Sequence, residues 1–142
     1  MADGLRIELG PWPALRERAA PIRRAVFVDE QKVPLEMELD EFDPLSLHAL
    51  ALDSQGRAVG TGRLLPDGHI GRMAVLRDAR GQGVGSALLQ ALMQAARARG
   101  DREVALSAQA HAVPFYLRFG FVAEGDAYDD AGIPHRAMRR AL

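Results

Sequence analysis

The stretch Arg80-Gly81-Gln82-Gly83-Val84-Gly85-Ser86 decides the fold prediction, because it joins a predicted strand to the strongest predicted helix of the chain. That helix covers residues 84–99, where apolar residues recur every three or four positions. Glycines let a backbone approach a ligand closely, and the N–H groups at the start of a helix attract anions. The loop therefore predicts a phosphate or pyrophosphate site, with Arg77 and Arg80 as additional cationic contacts.

Two widespread phosphate-binding patterns do not match this loop. The Walker pattern ends in Gly-Lys-Ser/Thr, which the loop lacks. The dinucleotide fingerprint requires a third Gly or Ala, and that place holds Ser86 or Leu88, depending on the register. A nucleotide-binding protein of either kind is therefore disfavoured. On the loop alone, a tight strand-to-helix turn that binds no ligand stays open as the alternative.

The segments on both sides of the loop alternate between strand and helix patterns. Alternating apolar and polar residues predict strands, and three- or four-residue apolar spacing predicts helices. Strands are predicted at 5–9, 47–52, 58–65, 69–76 and 103–107, from residue 121, and at 135–142. Helices are predicted at 11–30, 84–99 and 111–119. Loops are predicted at 36–46 and 125–133. We predict one α/β domain (α+β by some schemes) spanning residues 1–142. Its mixed, mostly antiparallel sheet has six to seven strands and is flanked by about four helices.

Composition and charge exclude several classes of protein. The 142 residues include 18 Lys+Arg and 19 Asp+Glu, a formal net charge of −1, which disfavours a nucleic-acid partner. Without cysteine the chain has no disulfide, thiolate metal site or cysteine nucleophile. The four histidines show no ligand spacing, so no metal is expected. Neither a signal peptide at residues 1–6 nor an apolar run of membrane-spanning length is visible, so we expect a cytoplasmic protein with no membrane partner.

Several stretches of the sequence together resemble one enzyme family. The pattern Arg80-x-x-Gly83-x-Gly85 resembles the acetyl-coenzyme A signature of the GNAT-type N-acetyltransferase superfamily, and residues 70–75 resemble the central strand before it. Residues 108–121 resemble the downstream motif of the same family. Near the two ends, residues 24–31 and 132–138 resemble a small bacterial branch, the YjcF-like acyltransferases. The resemblance therefore covers nearly the whole chain and implies a GNAT-like fold.

The resemblance implies acetyl-coenzyme A as co-substrate and a direct attack on its thioester by an amine-bearing acceptor in a ternary complex. The acceptor would be a small molecule or a peptide or protein amine. By the resemblance, loop N–H groups hold the pyrophosphate, and the preceding strand pairs with the pantetheine arm and polarises the thioester carbonyl. The coenzyme-binding residues implied are Met73, Ala74, Val75, Arg80, Gly81, Gln82, Gly83, Val84, Gly85 and Ser86.

Tyr116 is the residue that the resemblance implies as general acid, because the matching tyrosine of the family protonates the departing thiolate. A phenol has an ordinary pKa of about 10, so it carries its proton at neutral pH. The alternative is a packing role among Phe115, Phe119 and Phe121, which surround it at core-like spacing.

An acceptor that arrives as an ammonium ion also needs a base, for which Glu30, His48 and His135 are the candidates. Each has a structural alternative: Glu30 caps or ends its helix, His48 is a satisfied core histidine, and His135 orders the last hairpin. Gln31 and Arg63 are expected to line the acceptor cleft.

The run from Glu36 to Asp43 holds five acidic residues. We predict a solvated loop here, with electrostatic steering of a cationic acceptor as the alternative. Two further alternatives stay open. One is a non-catalytic sensor of acyl-coenzyme A with the same fold, which the presence of Tyr116 disfavours. The other is a homodimer through the alanine-rich surface of helix 84–99, which equally fits packing on the sheet.

Overall fold

The computed structural model describes residues 4–142, and these form seven strands in two antiparallel sheets with helices around them. The first sheet has the order β1-β2-β3-β4 and the second the order β5-β7-β6. Strand bounds are β1 Arg6–Pro11, β2 Leu47–Leu52, β3 Ala58–Leu64, β4 Ile70–Val75, β5 Glu103–Gln109, β6 Val122–Asp130 and β7 Ile133–Ala141. The predicted α+β architecture with seven mostly antiparallel strands is thus confirmed.

Four α-helices connect or cover the strands: α1 Trp12–Arg23, α2 Leu35–Glu38, α3 Val84–Ala98 and α4 Val113–Arg118. Helix α1 continues as a seven-residue π-helix, Arg24–Glu30, so the predicted helical stretch does end near Glu30. Its start follows from Pro11 and Pro13, since proline suits the first turn of a helix. No helix within residues 4–142 is long and apolar enough to cross a membrane.

The core lies on both faces of the first sheet. Helix α3 packs its buried stripe against β2, β3 and β4, with Leu88, Leu89 and Leu92 fully buried. Helix α1 covers the opposite face with Leu15, Ala19 and other apolar residues. Glycines in β3 allow the close approach of α3, because a Cβ at Gly60 would lie 2.8 Å from Val84 and 3.0 Å from Leu88. Side chains of α1 and α3 therefore cover both faces of β3. The contact of Gly60 with Val84, the first residue of α3, sets where that helix begins.

Two expectations need correction. The sheet is not one continuous mixed sheet, because within residues 4–142 the two antiparallel sheets meet only at a single parallel bridge, His69 to Ala105. Residues 125–133 are not a loop: β6 extends to Asp130 and a turn at Ala131 and Gly132 leads into β7. An irregular register between Glu124 and Tyr128 explains why this stretch lacks a strand-like pattern.

Two expectations stay predictions. The one about a signal peptide falls partly on residues 1–3, which lie outside the described residues. The homodimer stays untested as well: Ala91 and Ala95 on α3 are half-buried, and with β1 they line a shallow groove of about 510 Å³.

Candidate active site

A cleft opens where β4 and β5 separate. The two strands touch at the bridge between His69 and Ala105, where the Ala105 N–H donates to the Gly68 carbonyl at 3.1 Å. Beyond it β4 pairs only with β3, and β5 only with β7, within residues 4–142. The cavity between them measures about 760 Å³, within the range of small-molecule sites.

Most of the predicted site residues line this one cavity. They are Met73, Ala74 and Val75 on β4, together with Arg80, Glu30, Tyr116 and His135. Gln31 and Arg63, expected to line the acceptor cleft, line it as well. Residues 81–86 do not line the cavity; they follow Arg80 at its rim and lead into α3. His48 is not part of the cavity lining.

Strand β4 presents a free edge to the cavity, because in the part of the chain that the structure describes only its opposite edge pairs with a strand, and that pairing with β3 contains a bulge. Its register with β3 shifts between Thr61 and Arg63, so that Gly62 faces both Arg72 and Met73. Arg72 adopts φ = +49°, a left-handed backbone conformation that is strained for any residue other than glycine. Edges of this kind bind extended groups by adding them as a further strand.

The glycine loop presents its backbone N–H groups at the start of α3. Gly81 and Gly83 have φ of +79° and +82°, which glycine adopts without strain. Gly83 precedes the first residue of α3, and no side chain caps this end. The first N–H groups of a 15-residue helix therefore lack internal acceptors and carry the positive end of the helix dipole. This arrangement suits a phosphate oxygen.

Arg80 and Glu30 form an ion pair at the cavity rim. Arg80 Nη2 donates to both Glu30 carboxylate oxygens at 2.9 Å, and Arg80 Nε donates to the Val75 carbonyl at 3.0 Å. Arg77 lies 3.6 Å from the same carboxylate. Glu30, a predicted base, thus accepts from one arginine and neighbours a second. Arg80, a predicted phosphate contact, is held against the end of β4.

Tyr116 lies on α4 with its ring in the core and its residue lining the cavity. The ring meets Phe115 edge-on at 5.1 Å and Phe121 at 5.8 Å between centroids, so the packing role foreseen for it is present. Its hydroxyl makes no hydrogen bond within residues 4–142. Burial raises the pKa of the Tyr116 phenol to about 12, because the phenolate loses its hydration. The phenol is therefore protonated throughout the neutral range.

His135 is held on β7 in one defined tautomer. Its Nδ1 lies 2.7 Å from the Ile133 carbonyl, which only accepts, so Nδ1 carries a proton. In the neutral ring Nε2 is then the basic nitrogen. The residue is 8% exposed and its ring stacks on Tyr128 at 6.1 Å; the Tyr128 hydroxyl in turn pairs with the Ser107 hydroxyl. His135 is thus held in one orientation in the cavity wall, with Nε2 as the accepting nitrogen of its neutral ring.

A reciprocal amide pair connects the two walls of the cavity. Gln109 Nε2 donates to Gln31 Oε1 at 2.7 Å, and Gln31 Nε2 donates to Gln109 Oε1 at 3.3 Å. Gln31 follows the π-helix and Gln109 ends β5, so the pair connects elements 78 positions apart.

A buried ion network lies behind one end of the cavity. Because of it, the prediction of a solvated loop for residues 36–43 is wrong for Glu38 and Asp43. Glu38 and Asp43 are each 2% exposed and both pair with Arg23, which is 1% exposed. Arg63 binds Asp40 at 2.7 Å and Asp43 at 2.8 Å. Glu38 and Asp43 are buried because arginines from α1 and β3 neutralise them, whereas Glu36 and Glu41 are exposed.

Sequence reasoning missed Arg23, although one signal was available. Position 23 lies four residues after Ala19 and three before Val26, on the apolar face of the predicted helix. A charged residue on that face means either that the predicted buried face of the helix is wrong or that the charge pairs with a buried acid. Here it is the partner, and its guanidinium also lies 5.1 Å from the Trp12 ring.

His48 is a core histidine. It is 1% exposed, its Nε2 donates to the Asp43 carbonyl at 2.9 Å, and its ring lies 4.6 Å from the Trp12 ring. Burial lowers the pKa of His48 and outweighs the opposing effect of Asp43. Among residues 4–142, no three His, Asp or Glu side chains are grouped so as to hold a metal ion.

Comparison with known proteins agrees with this geometry. A family model described as an acetyltransferase (GNAT) domain matches residues 17–142. The chain belongs to the GNAT acetyltransferase family. Proteins of this GNAT family take an acyl-coenzyme A donor and an acceptor substrate.

Individual relatives of this GNAT protein extend over nearly its whole length. The uncharacterized N-acetyltransferase YjcF of Bacillus subtilis is 41% identical over 123 residues, covering 84% of this chain and 87% of that protein. An acyl-CoA N-acyltransferase from Pseudomonas aeruginosa is 37% identical with a TM-score of 0.85, covering 96% and 99% of the two chains. Escherichia coli ElaA is 30% identical with a TM-score of 0.83, covering 96% and 99%. The resemblance to the YjcF-like branch is thus confirmed.

Proposed function

We propose that this protein is a cytoplasmic N-acetyltransferase that transfers an acetyl group from acetyl-coenzyme A directly to an amine acceptor. The observation that carries the proposal is the single cavity that brings together the free edge of β4, Tyr116 and His135. The glycine loop follows at its rim and offers uncapped N–H groups at the start of α3. A donor with a phosphate at one end and a thioester at the other matches this order of features.

In the proposed complex, the pyrophosphate accepts hydrogen bonds from the loop N–H groups of residues 82–86. The pantetheine arm lies along β4 and pairs with the backbone of Met73, Ala74 and Val75, since that edge has no strand partner in the described chain. This places the thioester in the cavity beside Tyr116. A β4 N–H then polarises the thioester carbonyl, on which negative charge develops during attack.

The reaction then moves three protons. The acceptor ammonium gives one proton to His135 Nε2, and the resulting amine forms a bond to the thioester carbon. The carbon–sulfur bond breaks, the departing sulfur takes the proton of the Tyr116 hydroxyl, and the Tyr116 phenolate takes the second proton from the nitrogen. Protonated His135 then releases its proton to solvent. The products are the acetylated amine and coenzyme A with a free thiol. His135 suits the base role better than Glu30, because both Glu30 oxygens already accept from Arg80.

Titration calorimetry with acetyl-coenzyme A tests the donor site, with ATP and NAD as controls. The change Gly83→Glu is expected to weaken acetyl-coenzyme A binding by about 10- to 100-fold, because it adds negative charge where phosphate would bind. Gly83→Ala is the matched control: it has the same positive-φ strain without the charge, and is expected to bind within a few fold of the original. Equal binding by a folded Gly83→Glu protein contradicts the loop assignment.

The base is tested by the pH profile of kcat/KM. His135→Gln is expected to lower kcat/KM by about 10- to 100-fold at pH 7, with the loss shrinking as the pH approaches the acceptor amine's own pKa. At high pH the amine arrives uncharged and needs no base. Glu30→Gln is the comparison: it is expected to weaken acetyl-coenzyme A binding through Arg80 and leave the shape of the profile unchanged. A pH-independent loss in His135→Gln contradicts the base role.

An acyl-coenzyme A sensor of the same fold predicts binding without release of a free thiol. A panel of amines with thiol detection separates the two functions, because only the enzyme produces free coenzyme A in proportion to the acceptor.

A further inference from the structure

One cavity-lining arginine has hydrogen-bonding capacity that the protein itself does not use. Arg72 donates only through Nη2, to the Met37 carbonyl and to Asp40 Oδ2, both at 3.2 Å. Its Nε is buried without a partner, and its Nη1 makes no hydrogen bond within residues 4–142. The side chain is 30% exposed and lines the cavity, so an incoming group can reach it. A planar guanidinium with free N–H groups is suited to a carboxylate.

The neighbouring acids cannot complete the pairing of Arg72. Asp40 already accepts from Arg63 at 2.7 and 2.9 Å and from the Phe42 N–H, besides Arg72. Asp43 is shared between Arg23 and Arg63. A second buried nitrogen, Arg63 Nε, also has no partner, and Arg63 is 6% exposed in the same cavity wall. The arginines therefore offer more N–H donors than the protein's carboxylates accept.

The electrostatics of this corner agree with the geometry. Burial and the charge of Arg63 lower the pKa of Arg72, and Asp40 and Glu38 offset this only in part. Asp40, at 3.2 Å, therefore compensates the half-buried guanidinium only in part, and a bound anion would add to that compensation. The position of the residue adds a spatial constraint, because Arg72 directly precedes Met73, the first β4 residue assigned to the pantetheine arm. The anion would bind close to the transferred acetyl group.

We propose that the acceptor is a small amino-acid-like molecule whose carboxylate binds Arg72 while its amine attacks the thioester. This rests on the proposed function and narrows its substrate class. A molecule with amine and carboxylate a few bonds apart fits beside the thioester in a cavity of about 760 Å³. The strained φ of Arg72 supports the same role, since strained residues persist where a site needs their side chain in one place.

The test compares amino acids with their own carboxamides as acceptors. Glycine, β-alanine, L-methionine and L-phenylalanine, each paired with its amide, are assayed by thiol release and by calorimetry against protein saturated with coenzyme A. We expect tighter binding and higher kcat/KM for the acid of the preferred pair by about 10- to 100-fold, the effect of a charge-assisted hydrogen bond. Arg72→Gln is expected to reduce the preference to within about threefold, and Arg72→Lys to leave an intermediate preference. Acetyl-coenzyme A affinity is expected to stay unchanged in both.

The exposed Arg57, paired with Asp78 outside the cavity, gives the matched control, because Arg57→Gln removes an arginine without touching the site. Equal binding of acids and amides by the unmodified protein overturns the proposal without any variant. A preference that survives Arg72→Gln overturns it too. Tighter binding of the acid without turnover of either acceptor supports the carboxylate site and rejects the proposed transferase activity, so the two failures are distinguishable.

Discussion

Replacing Tyr116 with phenylalanine is expected to lower kcat for acetyl transfer by about 10²- to 10⁴-fold, the usual contribution of a general acid. The hydroxyl is the only group removed, and it makes no hydrogen bond within the described residues. The ring contacts with Phe115 and Phe121 remain. Thermal stability and the Kd for acetyl-coenzyme A are therefore expected to stay close to the original values. The measurement is a single-turnover assay, which reports the chemical step rather than product release.

The raised pKa of Tyr116 sets the expected pH dependence. With a pKa of about 12, the phenol stays protonated up to strongly alkaline pH. Any fall in activity between pH 8 and 10 must then come from another group, and the profile of the original protein is expected to show no alkaline limb from Tyr116 in that range. A pKa this high also makes the phenol a weak acid. Its proton is therefore given up only as negative charge builds on the sulfur.

Tyr128→Phe is the control for loss of a phenol elsewhere. Tyr128 is 43% exposed and is not among the residues lining the cavity. Its variant keeps the ring that stacks on His135 and is expected to retain kcat within about twofold. If Tyr116→Phe retained full single-turnover rates, the hydroxyl would have no role in the chemical step, and water would be the proton donor.

The elements around the glycine loop could be predicted from the sequence because local patterns determine them. The spacing of Val84, Leu88 and Leu92 defines the buried face of α3, and Gly83 at φ +82° needs the freedom that only glycine has. The strands from 47 to 75 were predicted for the same reason, since short turns separate apolar runs. The position of Tyr116 beside the β4 edge required the family resemblance, because no local pattern brings residues 73 and 116 together.

Long-range charge pairing is what the sequence could not predict. Glu38 lies in a run with four other acids, and such a run alone resembles a solvated loop. Its burial depends on Arg23, which comes from another helix 15 positions away. In the same way, Glu30 was a candidate base on residue type alone, and its pairing with Arg80 depends on a contact over 50 positions. The division of the sheet between β4 and β5 is also tertiary, and it creates the cavity.

Replacing Arg23 with methionine is expected to destabilise the fold by about 3–5 kcal/mol, the usual effect of breaking one side of a buried ion pair. Methionine keeps much of the side-chain length against Trp12 but leaves two buried carboxylates with fewer partners. Arg23 contributes bonds of 2.5 Å to Glu38 and 2.7 Å to Asp43, and a further bond of 2.8 Å to the Glu38 carbonyl. The measurement is denaturant unfolding at pH 7. Tm is expected to fall by about 10–20 °C.

The exposed pair of Arg57 and Asp78, whose side chains are 53% and 64% exposed, provides the control. Arg57→Met is expected to change stability by less than about 1 kcal/mol, because water screens that pair.

The stability loss of the two variants also differs in its dependence on pH. Burial alone would raise the pKa of Asp43, but Arg23 and Arg63 outweigh it and hold the pKa below its ordinary value. A carboxylate of this kind stabilises the fold above its unfolded pKa of about 3.9 and loses that contribution as the pH falls through its folded pKa. The stability difference between the original protein and Arg23→Met should therefore be largest at neutral pH and narrow below about pH 4. A difference that stays constant down to pH 3 would mean that Arg23 acts through packing on Trp12 rather than through its charge.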